Sequence, residues 1–155
     1  MKIRRAPLEF NHVLTANVQC APQDWYASAQ EFRNQVIKNS LYATGPFIYQ
    51  VDMIEDGKEK AEFTFHIPVN AIVEIKENGM YSFSERMRID DGFVYRHADI
   101  DEPMDEAYAL LFACAQHHNV KLHVPFYHIY LDVYGGGIID IYAPIMKEDN
   151  YDQSE

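Results

Sequence analysis

The chain of 155 residues is long enough for one domain with a sizeable hydrophobic core. Apolar residues make up 48% of the sequence and charged residues 24%, a balance typical of a globular protein. The net charge of −11 argues against binding to nucleic acid or to an anionic membrane, because both require clustered lysine and arginine. No apolar run is long enough to span a bilayer, and no signal-peptide core follows the first residues, so we expect a cytoplasmic protein.

The acidic residues are concentrated in the second half of the chain. Residues 90–155 hold 13 acidic and 3 basic residues, whereas residues 1–89 hold 11 and 10. Seven of the acidic residues fall between Asp90 and Glu106. One-sided charge of this kind can steer association with a protein of opposite charge, so a basic protein partner is one hypothesis.

The first half of the chain predicts a strand at 12–20, a helix at 23–38 and two further strands that begin at Phe47 and Phe63. Residues 55–58 are typical of a hairpin turn between the last two strands. The helix is indicated by four apolar residues that recur at the spacing of one helical face. They are Trp25, Ala29, Phe32 and Val36.

The second half predicts the same order of elements. A strand at 92–98 precedes a helix at 103–118, and two strands begin at Phe126 and Ile138. The glycines at 135–137 are typical of the intervening turn. The helix repeats the spacing of the first one, with Met104, Tyr108, Leu111 and Ala115 on one face.

Direct sequence matches support an internal repeat. An X-Pro-Phe segment ends at Phe47 and again at Phe126, and residues 63–69 match 139–145. We therefore predict an α+β fold of two pseudo-symmetric strand-helix-strand-strand repeats that form one antiparallel sheet, with helices on one side and a central groove. The expected boundaries in this single domain are about 8–70 and 91–147 for the repeats, 71–90 for a linker with a short strand at 73–75, and 148–155 for a polar tail.

This architecture resembles the gyrase-inhibitor-like effector-binding domain, which also forms the C-terminal sensor of certain multidrug-responsive transcription regulators. The resemblance covers about Leu8 to Met146, and its local matches are His97 before an acidic helix, residues 126–132 and residues 139–145. It implies binding of small, often cationic and aromatic molecules in the groove between the repeats. The chain is also similar to small proteins of Gram-positive bacteria encoded near type VII secretion genes, which implies an accessory or regulatory role.

One position departs from the family pattern. Family members usually carry a glutamate two residues before a strand tyrosine; here the tyrosine is Tyr130 and the earlier position holds His128. A buried carboxylate neutralises a cationic ligand, whereas a neutral imidazole does so poorly and a charged one repels it. Some related hydrolases also depend on that glutamate, so we expect a binding protein without enzymatic activity. A hydrolase that uses His128 and Tyr130 is the third hypothesis.

Strand alternation predicts which side chains face the groove. Tyr127, Ile129, Leu131 and Val133 are purely apolar and are expected to pack against the helix, which leaves the alternate residues for the groove. The predicted ligand-binding residues are Phe47, Tyr49, Thr64, His66, His128, Tyr130, Asp140 and Tyr142. They would bind a small hydrophobic or aromatic molecule. The alternative is that they simply fill a closed groove.

Three polar residues form the best candidate cluster within this groove. If His66, His128 and Asp140 converge, Asp140 would hold one imidazole and raise its pKa. The charged pair would then replace the missing glutamate as the polar anchor. The histidines lack the HxH or HxxxH spacing of metal ligands, so we predict neither a metal site nor a cofactor.

Overall fold

This computed structural model describes residues 3–53, 60–75, 79–97, 103–133 and 136–147. These residues contain eight strands and two α-helices. In chain order the elements are β1 (Ile3–Arg5), β2 (Leu8–Cys20), α1 (Trp25–Lys38), β3 (Phe47–Met53), β4 (Ala61–Pro68), β5 (Tyr81–Ile89), β6 (Gly92–His97), α2 (Asp105–His117), β7 (Tyr127–Val133) and β8 (Gly136–Pro144). A single 3-10 turn at Pro22–Asp24 leads into α1. None of the helices in these residues is long and apolar enough to cross a membrane.

The strands form one antiparallel sheet, which confirms the predicted α+β class. Their order across the sheet is β1-β6-β8-β7-β3-β4-β2-β5. Strands β3 and β7 therefore meet at the centre, where Tyr49 lies directly opposite His128. The six inner strands have the order β6-β8-β7-β3-β4-β2, which two strand-helix-strand-strand units joined through β7 and β3 would give. The internal repeat itself stays a prediction.

Both helices pack against the same face of the sheet, as the apolar spacing in the sequence predicts. Helix α1 buries Ala29, Phe32 and Val36, and α2 buries Ala107, Leu111 and Ala115. All six side chains belong to one hydrophobic cluster with strand residues such as Phe65 and Ile141. The main core therefore lies between the two helices and one face of the sheet.

The opposite face of the sheet is also buried. Ile48, Ile129 and Tyr142 form a second cluster there with Leu8 of β2, and Ile89 of β5 packs against it. Strands β2 and β5 lie at one edge of the sheet, and β8 lies near the other edge. The sheet must curl strongly for these residues to meet, which agrees with the connection of β5 to β6 by only two residues.

Two strands differ from the sequence prediction. The expected linker at 71–90 contains β5, a nine-residue strand, whereas residues 73–75 form no strand. Strand β1 is also additional, and it extends the opposite edge of the sheet by pairing with β6. Apolar residues alternate with serine and charged residues in β5, which is typical of a half-buried strand, so the assignment of this segment to a linker overlooked an available signal. The predicted tail at 148–155 lies outside the described residues.

Candidate functional site

The eight predicted ligand-binding residues lie on two different faces of the sheet. Phe47 and Tyr49 belong to the helix-side cluster, and His128 and Tyr130 share that face. The other four residues lie on the opposite face: Thr64, His66, Asp140 and Tyr142. The predicted residues therefore do not line a single groove.

The error came from the expected orientation of β7. Tyr127, Ile129 and Leu131 pack into the cluster on the face without helices, so the interpretation that this run lies under the helix is wrong. Both faces of this sheet are buried. An apolar run therefore does not reveal which face carries the helices.

The condition set for the candidate polar cluster is not met, because His66, His128 and Asp140 do not converge. Asp140 accepts hydrogen bonds from its cross-strand partner Arg96 at 2.8 and 3.2 Å instead of binding an imidazole. His66 lies on the same face as Asp140 but bonds to Thr15 at 2.9 Å and Gln50 at 3.0 Å. Burial lowers the pKa of both histidines to about 4, where the prediction was a raised pKa.

An aromatic stack crosses the centre of the helix-bearing face, and we call the space around it the interhelical cleft. The ring centroid of Trp25 lies 3.9 Å from that of Tyr26 and 4.7 Å from that of Tyr49. The Tyr49 ring stacks on His128 at 4.5 Å with an interplanar angle of 8°. Tyr108 closes the row, edge-on to His128 at 5.8 Å.

The secondary structure explains how these five rings meet. Trp25 and Tyr26 begin α1, and Tyr108 lies near the start of α2, so each helix contributes its N-terminal end. Tyr49 and His128 are direct cross-strand partners on the two central strands. Opposite side chains on adjacent strands lie close enough for their rings to stack. The stack therefore joins both halves of the chain.

His128 is the buried polar group at the floor of the cleft, with 2% of its surface exposed. Its Nδ1 lies 3.0 Å from the carbonyl oxygen of Tyr49, and its Nε2 lies 2.6 Å from the hydroxyl of Tyr108. A carbonyl oxygen only accepts, so Nδ1 carries the proton and Nε2 accepts the Tyr108 O–H. With its pKa lowered to about 4 by burial, His128 is neutral at pH 7.

The same environment argues against hydrolytic chemistry by this pair. Burial, with a smaller effect of nearby Asp105, raises the pKa of Tyr108 to about 12. A histidine with a pKa near 4 is a weak general base at neutral pH. Among the described residues, no group of three or more His, Cys, Asp or Glu side chains is placed to hold a metal ion.

A small cavity of about 90 Å³ opens at the α1 side of the stack. Its lining residues are Trp25, Tyr26, Ala29, Gln30, Arg33, Phe47 and Tyr130. Ligand pockets usually measure about 300–1,000 Å³, and a cavity of about 150 Å³ holds benzene. The described part of the cleft is therefore largely filled by its own side chains, and a ligand must displace some of them. Tyr26 borders this cavity with 53% of its surface exposed.

A larger depression of about 600 Å³ lies elsewhere, at one end of the sheet. Its charged groups already neutralise each other: Asp90 pairs with Arg88 and with Lys147, both at 2.8 Å. The Asp91 carboxylate on its wall pairs with Arg5 at 2.6 Å. This depression therefore offers a ligand few uncompensated charges.

The predicted acidic face is only partly described. Asp105 and Glu106 are exposed in the first turn of α2, where the helix dipole favours them. Asp99, Asp101 and Glu102 lie outside the described residues. Since Asp90 and Asp91 pair with basic residues, part of this acidity is neutralised within the fold.

Sequence reasoning missed four residues of the cleft: Trp25, Tyr26, Arg33 and Tyr108. Trp25 and Tyr108 were recognised, but only as members of the apolar helix faces. The positions of Trp25 and Tyr108 near the beginning of a helix were a signal for the cleft. A large aromatic ring at that position can extend past the helix towards the centre of the sheet. Helix periodicity alone does not distinguish such a residue from the core.

Comparisons with solved structures show the fold of the chain. It superimposes on the C-terminal domain of EcmrR with a TM-score of 0.68 and 15% identity, covering 95% of this chain and 99% of that domain. In an EcmrR–DNA complex the chain spans 58% of the EcmrR chain. A hydrolase from Listeria innocua matches with a TM-score of 0.60 and 10% identity, over 94% of this chain and 92% of the other.

One similar structure contains a small molecule. SAV2435 bound to tetraphenylphosphonium matches with a TM-score of 0.53 and 10% identity, over 100% of both chains. At these identities the similarities establish a shared fold and leave the activity open. The resemblance to effector-binding domains and the similarity to proteins encoded near type VII secretion genes both stay predictions.

Sequence comparison identifies the family. No curated protein matches the chain significantly. The model of one family, described as a domain of unknown function (DUF5085), matches residues 10–148, which is most of the chain. The chain therefore belongs to the DUF5085 family.

Proposed function

We propose that this chain is a regulatory ligand-binding protein that takes up small aromatic molecules in the interhelical cleft. The observation that carries the proposal is the aromatic stack together with the cavity at its α1 end: Tyr49 packs between Trp25 and His128, and Trp25 also lines the cavity. The other aromatic residues of the cavity wall are Tyr26, Phe47 and Tyr130. Aromatic rings gain about 0.5–1.5 kcal/mol from stacking in addition to the burial of their area. A flat aromatic ligand is the molecule that such faces bind best.

Entry of the ligand requires a rearrangement of the first turn of α1. The cavity beside Trp25 is smaller than a benzene ring requires, and the exposed Tyr26 borders it. Rotation of Tyr26 towards solvent would enlarge this cavity while Tyr49 and His128 stay in place. The buried His128 holds the floor because both of its ring nitrogens are hydrogen-bonded.

The solved structures support ligand binding and regulation as general roles for this fold. SAV2435 has been solved with tetraphenylphosphonium, whose four phenyl groups surround a cationic phosphorus. EcmrR, whose C-terminal domain shares the fold, has been solved in complex with DNA. We infer from these two relatives that the present chain reports the presence of an aromatic ligand, without DNA binding of its own.

Trp25 provides a direct assay because it is the only tryptophan in the sequence. We expect the neutral compound 3-phenylpropan-1-ol to change the Trp25 fluorescence saturably, with a Kd of about 1 mM or tighter for a ligand of this size. No saturable change up to about 10 mM would contradict the proposal. Thermal unfolding with and without the compound provides an independent measurement.

A matched pair of variants locates the binding. Ala29→Leu places three more carbon atoms against the cavity, whereas Ala113→Leu adds the same atoms on an exposed part of α2. We expect at least tenfold weaker binding for Ala29→Leu and unchanged binding for Ala113→Leu. Circular dichroism checks that both variants are folded. Equal affinities in the two folded variants would place the ligand elsewhere.

A further inference from the structure

We propose that the interhelical cleft selects aromatic ligands that carry a carboxylate, with the ring against the aromatic stack and the carboxylate at Arg33. This inference rests on the proposed function and specifies the ligand class for the same site. It reverses the charge preference that the family resemblance implies. Three features of the cleft support it: a cation without a partner, hydrogen-bond donors without acceptors, and a lining without carboxylates.

Arg33 is the cation at the cavity. Its guanidinium lies 5.0 Å from the centroid of the Phe47 ring, and both residues line the cavity beside Trp25. No carboxylate in the part of the chain that the structure describes lies within ion-pairing distance of Arg33. Other arginines, such as Arg5 and Arg88, do pair with carboxylates. Arg33 is exposed, and its charge at the cavity wall pairs with no carboxylate among the described residues.

The contact with Phe47 orients this charge. A guanidinium that lies over an aromatic ring is weakly hydrated and keeps the N–H groups at its edge free for hydrogen bonds. A carboxylate can accept two of them side by side, a geometry that an ammonium ligand cannot use. Phe47 is buried in the sheet and therefore provides a fixed platform for Arg33.

Two residues of the cavity wall carry neutral hydrogen-bond donors. The indole N–H of Trp25 and the hydroxyl of Tyr130 both belong to residues of the cavity wall. Neither group has a hydrogen-bond acceptor among the described residues, whereas the side-chain amide of Gln30 already donates to Asn34 at 3.1 Å. A carboxylate supplies acceptors for such donors, and a cationic ligand supplies none.

The described lining offers nothing to neutralise a cation. None of the cavity residues is Asp or Glu. The buried polar group below the stack is His128, whose two nitrogens are occupied by Tyr49 and Tyr108. A cation that entered the cleft would meet aromatic faces but no carboxylate, and the positive charge of Arg33 would repel it. The net charge of −11 repels anions at long range, so the preference must come from these local contacts.

The test compares three compounds that share one skeleton and differ in charge: 3-phenylpropionate, 3-phenylpropan-1-ol and 3-phenylpropylammonium. Their affinities are measured by Trp25 fluorescence and confirmed by calorimetry. We expect the carboxylate to bind about three- to tenfold more tightly than the alcohol and the ammonium to bind most weakly. The expected factor is modest because Arg33 is exposed and solvent screens its charge. Arg33→Gln should bring the carboxylate to the affinity of the alcohol.

Lys38→Gln is the matched control. It removes the same charge from the same helix but lies in the last turn, away from the cavity. We expect it to leave the preference for the carboxylate unchanged, which separates a local contact from the overall field of the protein.

The outcomes distinguish this inference from the proposed function. If all three compounds bind with equal affinity, or the ammonium binds most tightly, the carboxylate inference is wrong and the cleft is still a ligand site. If the carboxylate preference persists in folded Arg33→Gln, or is lost equally in Lys38→Gln, Arg33 is not its origin and the inference is overturned. If no compound gives saturable binding, both proposals fail.

Discussion

Acidification should destabilise this protein at a pH where most of its carboxylates are still charged. His66 and His128 are 8% and 2% exposed, and burial lowers the pKa of each to about 4. In the unfolded chain their pKa returns to about 6.5. Between these values the unfolded state binds more protons than the folded state, so stability falls as the pH falls. The stabilisation is complete above about pH 6.5 and is lost progressively down to about pH 4.

The size of the effect follows from the two pKa values. Each histidine has a pKa of about 6.5 in the unfolded chain and about 4 in the folded protein. Lowering the pH from 7 to 4.5 therefore reduces the free energy of unfolding by about 2.5 kcal/mol per histidine. Two histidines together would remove about 5 kcal/mol, a large fraction of the 5–15 kcal/mol that stabilises an ordinary domain. Arg88 and Arg86 lower the pKa of the Glu9 carboxyl group, and Lys147 and Arg88 lower that of Asp90, so these ion pairs break at lower pH.

Urea unfolding at several pH values between 7 and 4.5 tests this reasoning. His66→Gln and His128→Gln should each be destabilised at pH 7, because the buried hydrogen bonds change, but each should lose about 2.5 kcal/mol less than the wild type on acidification. Replacing the exposed His123 by Gln serves as the control and should leave the slope unchanged. A double variant of His66 and His128 with the wild-type slope would refute the argument.

Three further predictions concern stability in urea at pH 7. Gly92→Ala should destabilise by at least about 1–3 kcal/mol, because a Cβ there would lie 2.4 Å from the Tyr142 ring; an unchanged midpoint would mean that this packing is wrong. Tyr142→Phe should cost about 1 kcal/mol, because its hydroxyl donates to the carbonyl of Ala6 at 2.7 Å, and a neutral effect would exclude that bond. Leu111→Ala should cost about 2–5 kcal/mol, because Leu111 is fully buried on the face of α2 that packs against the sheet; a loss below about 1 kcal/mol would contradict its place in the core.

Local pattern was sufficient for most of the fold. The helix expected at 103–118 is observed as Asp105–His117, and the strands expected from Phe47 and Phe63 are observed as Phe47–Met53 and Ala61–Pro68. These elements carry strong periodicity, because one stripe of each helix and alternate residues of each strand are buried. Strand β5 was missed although its residues alternate between apolar and polar, because the segment between the two repeats was interpreted as a linker; in the structure it pairs with β2.

The cleft was harder to predict than the elements that form it. Tyr49, His128 and Tyr130 were correctly selected as residues of one face, yet they were assigned to the face without helices. His66 and Asp140 were added to them although they lie on the other side of the sheet. Alternation of apolar and polar residues separates the two faces of a single strand. It does not show which side chains of a neighbouring strand lie on the same face of the sheet.

The amino-acid sequence by itself determined most of the helices and strands and the unequal distribution of charge. It also showed that position 128 holds a histidine where the family pattern has a glutamate. Only the tertiary structure decided which side chains meet: Tyr49 with His128 across the central strands, and Trp25 and Tyr108 from the two helix ends. The physical reason is that both faces of this curled sheet are buried. Hydrophobicity then marks each face equally, and the packing of the helices is what makes one of them the cleft.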